Sequence, residues 1–152
     1  MGVMPAQFNS LGISFQYPDN WTLDDSDARL GRKSVTVYGP GGAFWSVTIH
    51  VGRADPNEVS AAVVEAMKQE YDSLEAEPVE ETISDRSLLG FDLAFYCLDL
   101  TSTAWVRSLR VAKTTYTIFC QAEDREFAQF RMVFLAMTTS LLQSLKDARY
   151  PW

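Results

Sequence analysis

Apolar residues recur at spacings of three and four from Val59 through Ala62, Val63, Ala66 and Met67 to Tyr71, while Glu65, Lys68, Gln69 and Asp72 fall away from that stripe. This is the period of an α-helix that buries one face. Its start is written in Asp55-Pro56-Asn57-Glu58. The Asp can cap, the Pro loses nothing at the first helical position, and the Glu can reach back. The spacing predicts a helix over 56–74, ending before Pro78.

Elsewhere the pattern shortens to runs rich in Val, Thr, Ile and aromatic residues. Ser34 to Tyr38 and Ala43 to Val51 flank Gly39-Pro40-Gly41-Gly42, which reads as a hairpin connection. Val79 to Asp85, Phe91 to Leu100, Thr103 to Val111 and Thr114 to Ala122 continue as an antiparallel meander, with tight turns expected near Thr101-Ser102 and Lys113-Thr114. Phe91, Leu93, Phe95 and Cys97 share one face of their strand, and Ala94, Tyr96, Leu98 and Leu100 the other. With neither face polar, that strand belongs in a sheet covered on both sides.

The stretch ISFQYPDNW, residues 13–21, is a strand that stops at Tyr17-Pro18 and returns a large aromatic at Trp21. The residue before a proline is held extended, and Asp19 and Asn20 suit a turn, so the stretch reads as a scaffold corner that sends Trp21 into the core. A second helix is expected over 125–144, capped by Asp124, with Phe127, Phe130, Phe134, Met137 and Leu141 facing inward. Lys146 and Arg149 near its end suit the helix dipole. The fold class that follows is α+β: one domain, 1–152, built on a central antiparallel sheet of about six or seven strands covered by helices.

Composition narrows the function. The chain has 152 residues, 47% of them hydrophobic, enough for one self-sufficient core. A net charge of -7 repels phosphate backbones and anionic lipid headgroups, so no nucleic acid partner is expected. No run combines an absence of charge with continuous apolar character over the roughly 18 to 20 residues of a membrane span. The opening residues MGVMPAQFNSLG lack the basic region and apolar core of an export signal, which makes the cytoplasm the expected location.

Candidate chemistry is sparse. His50 is the sole histidine, so a multi-histidine metal site is excluded, and no G-x-S-x-G elbow accompanies it. Cys97 and Cys120 have no C-x-x-C spacing and are expected as free, buried thiols separated by two strand spacings near Val106. Gly39-Pro40-Gly41-Gly42 leads into a strand, where a phosphate cradle needs a helix N-terminus. Asp25-Ser26-Asp27 opens like a calcium loop, but Arg29 and Leu30 stand where a ligand and a glycine are required, leaving a solvated acidic loop. Glu75, Glu77, Glu80 and Glu81 around Pro78 read as a charged connector. No cofactor and no metal are expected.

One surface stands out. Met132 to Leu145 reads MVFLAMTTSLLQSL without a charge, and Ala128, Met132, Leu135, Ala136 and Thr139 lie opposite the inward stripe. A helix apolar all round is normally buried all round. The cover is expected to be the N-terminal segment, the tail Tyr150-Pro151-Trp152, a second copy or a foreign protein, with Met132, Leu135, Ala136 and Thr139 as the partner-binding residues.

The series ISFQYPDNW, SVTVYG, WSVTIHV, a first helix after DPNE, LLGFDLAFYCL, KTTYTIFCQA and a final helix containing TSLL resembles the PsbP-like superfamily, over residues 8–145. That superfamily takes in DcrB-like bacterial proteins and a nuclear import factor that binds the GTPase Ran. The resemblance implies an α/β/α sandwich. Its members include a photosystem subunit, a Ran partner, lipoproteins and chaperones for secreted effectors, so it implies protein binding without chemistry and supplies no catalytic residue. The leading expectation is a non-enzymatic protein-binding module, adaptor or chaperone-like. Its rivals are a small-molecule binder or enzyme with a pocket between sheet and helix, using His50, Asp99 or Arg107, and a structural subunit of a permanent assembly.

Overall fold

The computed structural model describes residues 5–145. A hairpin opens the chain: β1 (Pro5–Ser10) and β2 (Ile13–Pro18) pair antiparallel through Leu11-Gly12. Seven further strands form one antiparallel sheet in the order β3-β4-β5-β9-β8-β7-β6. They are β3 (Thr22–Asp24), β4 (Ser34–Tyr38), β5 (Phe44–Val51), β6 (Glu75–Ile83), β7 (Arg86–Cys97), β8 (Leu100–Val111) and β9 (Thr114–Glu123). The helices are a single turn α1 (Ser26–Arg29), then α2 (Pro56–Glu70) and α3 (Asp124–Ser144). This is the expected α+β sandwich, with α2 on one face against β7, β8 and β9, and α3 on the other against β8, β9 and the hairpin strand β2.

Alternation along the central strands divides the core in two. Trp105, Leu109 and Val111 of β8 join the larger core under α3, whereas Ala104 and Val106 join a smaller one under α2. In the larger core Trp45 is fully buried and stacks obliquely on Phe15 at 4.8 Å. Its indole N–H donates to Thr138 Oγ1 at 3.0 Å, and that hydroxyl donates back to the Phe134 carbonyl at 2.8 Å, so a buried donor is satisfied through the helix. Trp21 is 6% exposed and meets Phe130 and Phe134 edge-on at 5.3 and 5.9 Å. The Pro18 corner closes with the Trp21 N–H donating to the Pro18 carbonyl, and it sends Trp21 into the core as expected.

Several expectations need correction. α2 stops at Glu70, four residues before Leu74, because Tyr71 turns extended. The acidic stretch around Pro78 is the strand β6, at the edge of the sheet, where proline and charge are both tolerated. Asp25-Ser26-Asp27 enters the helical turn α1, set up by Ser26 N–H and Oγ donating to Asp24 Oδ1, and these bonds hold the Asp24 carboxyl below its ordinary range. α3 is capped by Glu123, whose carboxylate accepts from the amides of Arg125 and Glu126; Asp124 is already helical. The β7–β8 turn lies at Leu98-Asp99, not Thr101-Ser102. The outer face of β7 is not covered at this end, since Ala94 and Tyr96 are exposed.

Candidate functional site

The flank of α3 that carries the expected partner-binding residues is built by the docking of β2. β2 pairs with β1 by one edge and lies along α3 by the other. Ser14 N–H donates to Ser144 Oγ at 3.3 Å and Gln16 N–H to Ser140 Oγ at 2.8 Å. Two strand residues rise about 6.8 Å and four helical residues about 6 Å, so alternate amides of a strand meet successive turns of a helix. The next partners in these rows are Pro18 and Ala136, which have no amide N–H and no hydroxyl to offer. The ladder ends there, and a groove of about 330 Å³ opens between the two elements.

That groove is lined by Tyr17, Pro18, Met132, Val133, Ala136 and Met137, together with Pro5, Gln16 and Ser140. Met132 is 70% exposed and Ala136 is exposed, while Leu135 and Thr139 are half-buried, Leu135 packing against the edge of the larger core. A second hollow on the same flank brings Leu135 and Thr139 beside Met132 and Ala136. The four residues therefore form one patch. Among the described residues the N-terminal hairpin covers one side of α3 and leaves this side open. The tail Tyr150-Pro151-Trp152 and the charges Lys146 and Arg149 lie outside the described residues.

The three residues of the rival chemistry are not brought together. His50 stands on the α2 face of β5, near the end of the sheet where β8 turns into β9. Asp99 sits in the β7–β8 turn at the opposite end. Arg107 shares the α3 face with Trp105. It is 3% exposed, and its donors are spent on its own chain: Nε to Glu81 Oε1 at 2.8 Å, Nη2 to Asp92 Oδ1 at 2.7 Å, and Nη1 to the Phe91 and Val106 carbonyls. Its guanidinium also lies 5.1 Å from the Trp105 ring centre. Arg107 locks three strands and is not available to a substrate.

Both cysteines are free. Cys97 pairs with Leu100 at the turn and faces the smaller core, whereas Cys120 pairs with Trp105 and faces the larger. Cys120 thus lies next to Val106 as expected, whereas Cys97 is displaced to the end of the strand because the β7–β8 turn falls earlier, and the opposite faces separate the two thiols further. Burial pushes the Cys120 thiol well up, away from a reactive thiolate. Among the described residues no cluster of three or more His, Cys, Asp or Glu side chains is placed to hold a metal ion, and no helix is long and apolar enough to cross a membrane.

Sequence reasoning missed a buried row of hydroxyls on the α2 face. Ser60, Ser108 and Thr117 are all nearly inaccessible and link to His50. The available signal was a serine inside the α2 stripe and another inside a strand of apolar neighbours, each too common alone to be read.

No protein-family model matches the chain, and no curated protein matches it in sequence. Solved structures do match in fold. The cyanobacterial PsbP protein of Synechocystis is 13% identical, with 92% of each chain covered and a TM-score of 0.61. The Ran-binding protein Mog1p of Saccharomyces cerevisiae is 15% identical, covering 94% of this chain and 93% of its own, with a TM-score of 0.57. A protein of unknown function from Pseudomonas aeruginosa is 8% identical, covering 90% of this chain and 95% of its own, with a TM-score of 0.53. The sheet, the two packed helices and these full-length superpositions together establish that the chain has the PsbP-like fold shared with Mog1p.

Proposed function

We propose that this chain is a non-enzymatic protein-binding module that receives an apolar segment of another protein on the open flank of α3. The carrying observation is Met132, 70% exposed beside a groove walled by Tyr17, Pro18, Val133 and Ala136. An exposed, flexible thioether in a ready apolar groove adapts to a partner's side chains and costs little to desolvate. The overall charge of -7 opposes a membrane surface as the occupant and favours a protein. That Mog1p, a Ran-binding protein, has this fold supports a contact role without naming the partner here. The free thiols suit a reducing compartment, and the module is assigned to the cytoplasm.

Met132→Glu tests this reading, because an exposed position accepts a charge without unfolding. The variant is expected to keep the wild-type melting temperature and to lose the partner recovered by wild type, while the control Arg125→Glu, also exposed, retains it. Light scattering over a hundredfold concentration range separates a second copy from a foreign protein: a dimer lost in Met132→Glu identifies self-association, and a constant monomer identifies a foreign partner. Unchanged capture and unchanged mass in Met132→Glu overturn the proposal.

A further inference from the structure

On the face of the sheet opposite that groove, a line of hydroxyls runs beneath α2. Ser60 Oγ donates to the Leu89 carbonyl at 3.1 Å and lies 2.7 Å from Ser108 Oγ. Ser108 Oγ is 3.1 Å from Thr117 Oγ1, which is 3.2 Å from His50 Nε2. A hydroxyl has one proton, and a carbonyl only accepts. Because Ser60 gives its proton to Leu89, Ser108 must donate to Ser60, Thr117 to Ser108, and His50 Nε2 to Thr117. The row fixes the neutral imidazole as its Nε2–H tautomer. Nδ1 is left with a lone pair and no hydrogen-bond partner among the described residues.

The same imidazole lines a cleft of about 560 Å³ between α2 and the sheet. One wall is the apolar flank of α2, where the small side chains of Ala62 and Ala66 leave room beside Val59 and Val63. Ser60 and Val64, one position round the helix, make the buried contact with the sheet instead. Asp55 and Glu58 stand among the lining residues, and no lysine or arginine does. The α2 N-terminus does not reverse this sign, since Asp55 accepts from the Asn57 amide and Glu58 occupies the first turn.

We propose that this cleft binds a small protonated amine bearing an apolar chain, with His50 Nδ1 accepting from the ammonium, Asp55 and Glu58 offsetting its charge, and the chain lying along Val59, Ala62 and Ala66. Thr117 is a positioning residue that holds the tautomer. An anionic ligand meets a lone pair and two carboxylates, and a neutral alcohol gains only the hydrogen bond. This site is independent of the α3 groove and of the function proposed for it.

The test uses the full chain at pH 8, where an alkylammonium stays charged as a lysine does, with a pKa of about 10.4. Two-bond proton–nitrogen spectra of the single imidazole are expected to show the Nε2–H form, and Thr117→Val to loosen it toward a tautomer mixture. Titration with n-hexylamine is expected to shift the His50 resonances saturably, with hexanoate and 1-hexanol at least tenfold weaker. Ala62→Leu, at an exposed helical position, is expected to weaken hexylamine at least tenfold with an unchanged melting temperature. An Nδ1–H tautomer, hexanoate binding as well as hexylamine, no saturable shift, or full affinity in Ala62→Leu each overturns the proposal.

Discussion

Thr138 shows how one side chain serves two elements at once, accepting from the Trp45 indole on the sheet and donating to a carbonyl of its own helix. Thr138→Val keeps the shape and leaves a fully buried N–H with no acceptor. The expected cost is about 1 to 3 kcal/mol, read as a lower urea midpoint at unchanged slope. His50 carries a different dependence. Burial holds its pKa below the ordinary 6.5, so the folded state resists protonation more than the unfolded one does. Stability contributed by the neutral ring is fully present above about pH 6.5 and is lost as pH falls through the depressed folded value. Urea midpoints at pH 7.5 and 5.5 are expected to fall further for wild type than for His50→Gln, which lacks the titration; Asp55 and Glu58, which line the same cleft, are present in both proteins.

Elements tell more about their ends than about their middles. The β7–β8 turn places Leu98 and Asp99 at φ 53° and 65°, left-handed values suited to the twist of a two-residue hairpin but poor for leucine, and Leu98 is 93% exposed. Leu98→Gly is expected to raise stability by about 1 kcal/mol in thermal melts, since it relieves the backbone and forfeits no packing. The opposite result is expected within β7 itself, at Gly90, between β6 and β8. A Cβ there would stand 1.7 Å from the Val106 carbonyl oxygen, so Gly90→Ala is expected to cost about 3 kcal/mol or more. Strand cores were legible in the sequence because β-branched and aromatic runs follow directly from burial on the sheet; β4 was expected at its observed bounds. The Leu98-Asp99 turn was not legible, because Leu98 is not a turn former, Asp99 alone is too weak a signal, and tertiary pairing imposes the geometry. β6 was half hidden for a related reason: an edge strand needs neighbours on one side only, and its glutamates and Pro78 report the solvent side. The apolar surface of α3 was readable from composition, but which part stays open depends on β2, some 120 residues away, and no local pattern carries that.

At the scale of the molecule, a sheet with a core on each face keeps its two thiols apart. Cys97 is half-buried under α2, and Cys120 is fully buried under α3. Thiol titration of the native protein is expected to find one accessible group reacting ahead of the other, and denaturation without reductant to release two; a count below two would contradict the pairing of β7, β8 and β9. The helices divide their labour likewise, α2 leaving a cleft over β9 and β5, and α3 closing the larger core together with the hairpin.

The clasp between β2 and α3 also sets a timetable for biosynthesis. Ser14 and Ser144 are 130 positions apart, and a ribosome adding about 5 to 20 residues per second needs roughly 6 to 26 s to travel between them. Throughout that interval Phe8, Ile13 and Phe15, later buried beneath the last helix, lack the helix that covers them. The nascent hairpin is therefore a client for whatever shields apolar chain at the exit tunnel, and arrested chains ending before residue 124 should be cut by protease within it while released full-length protein resists.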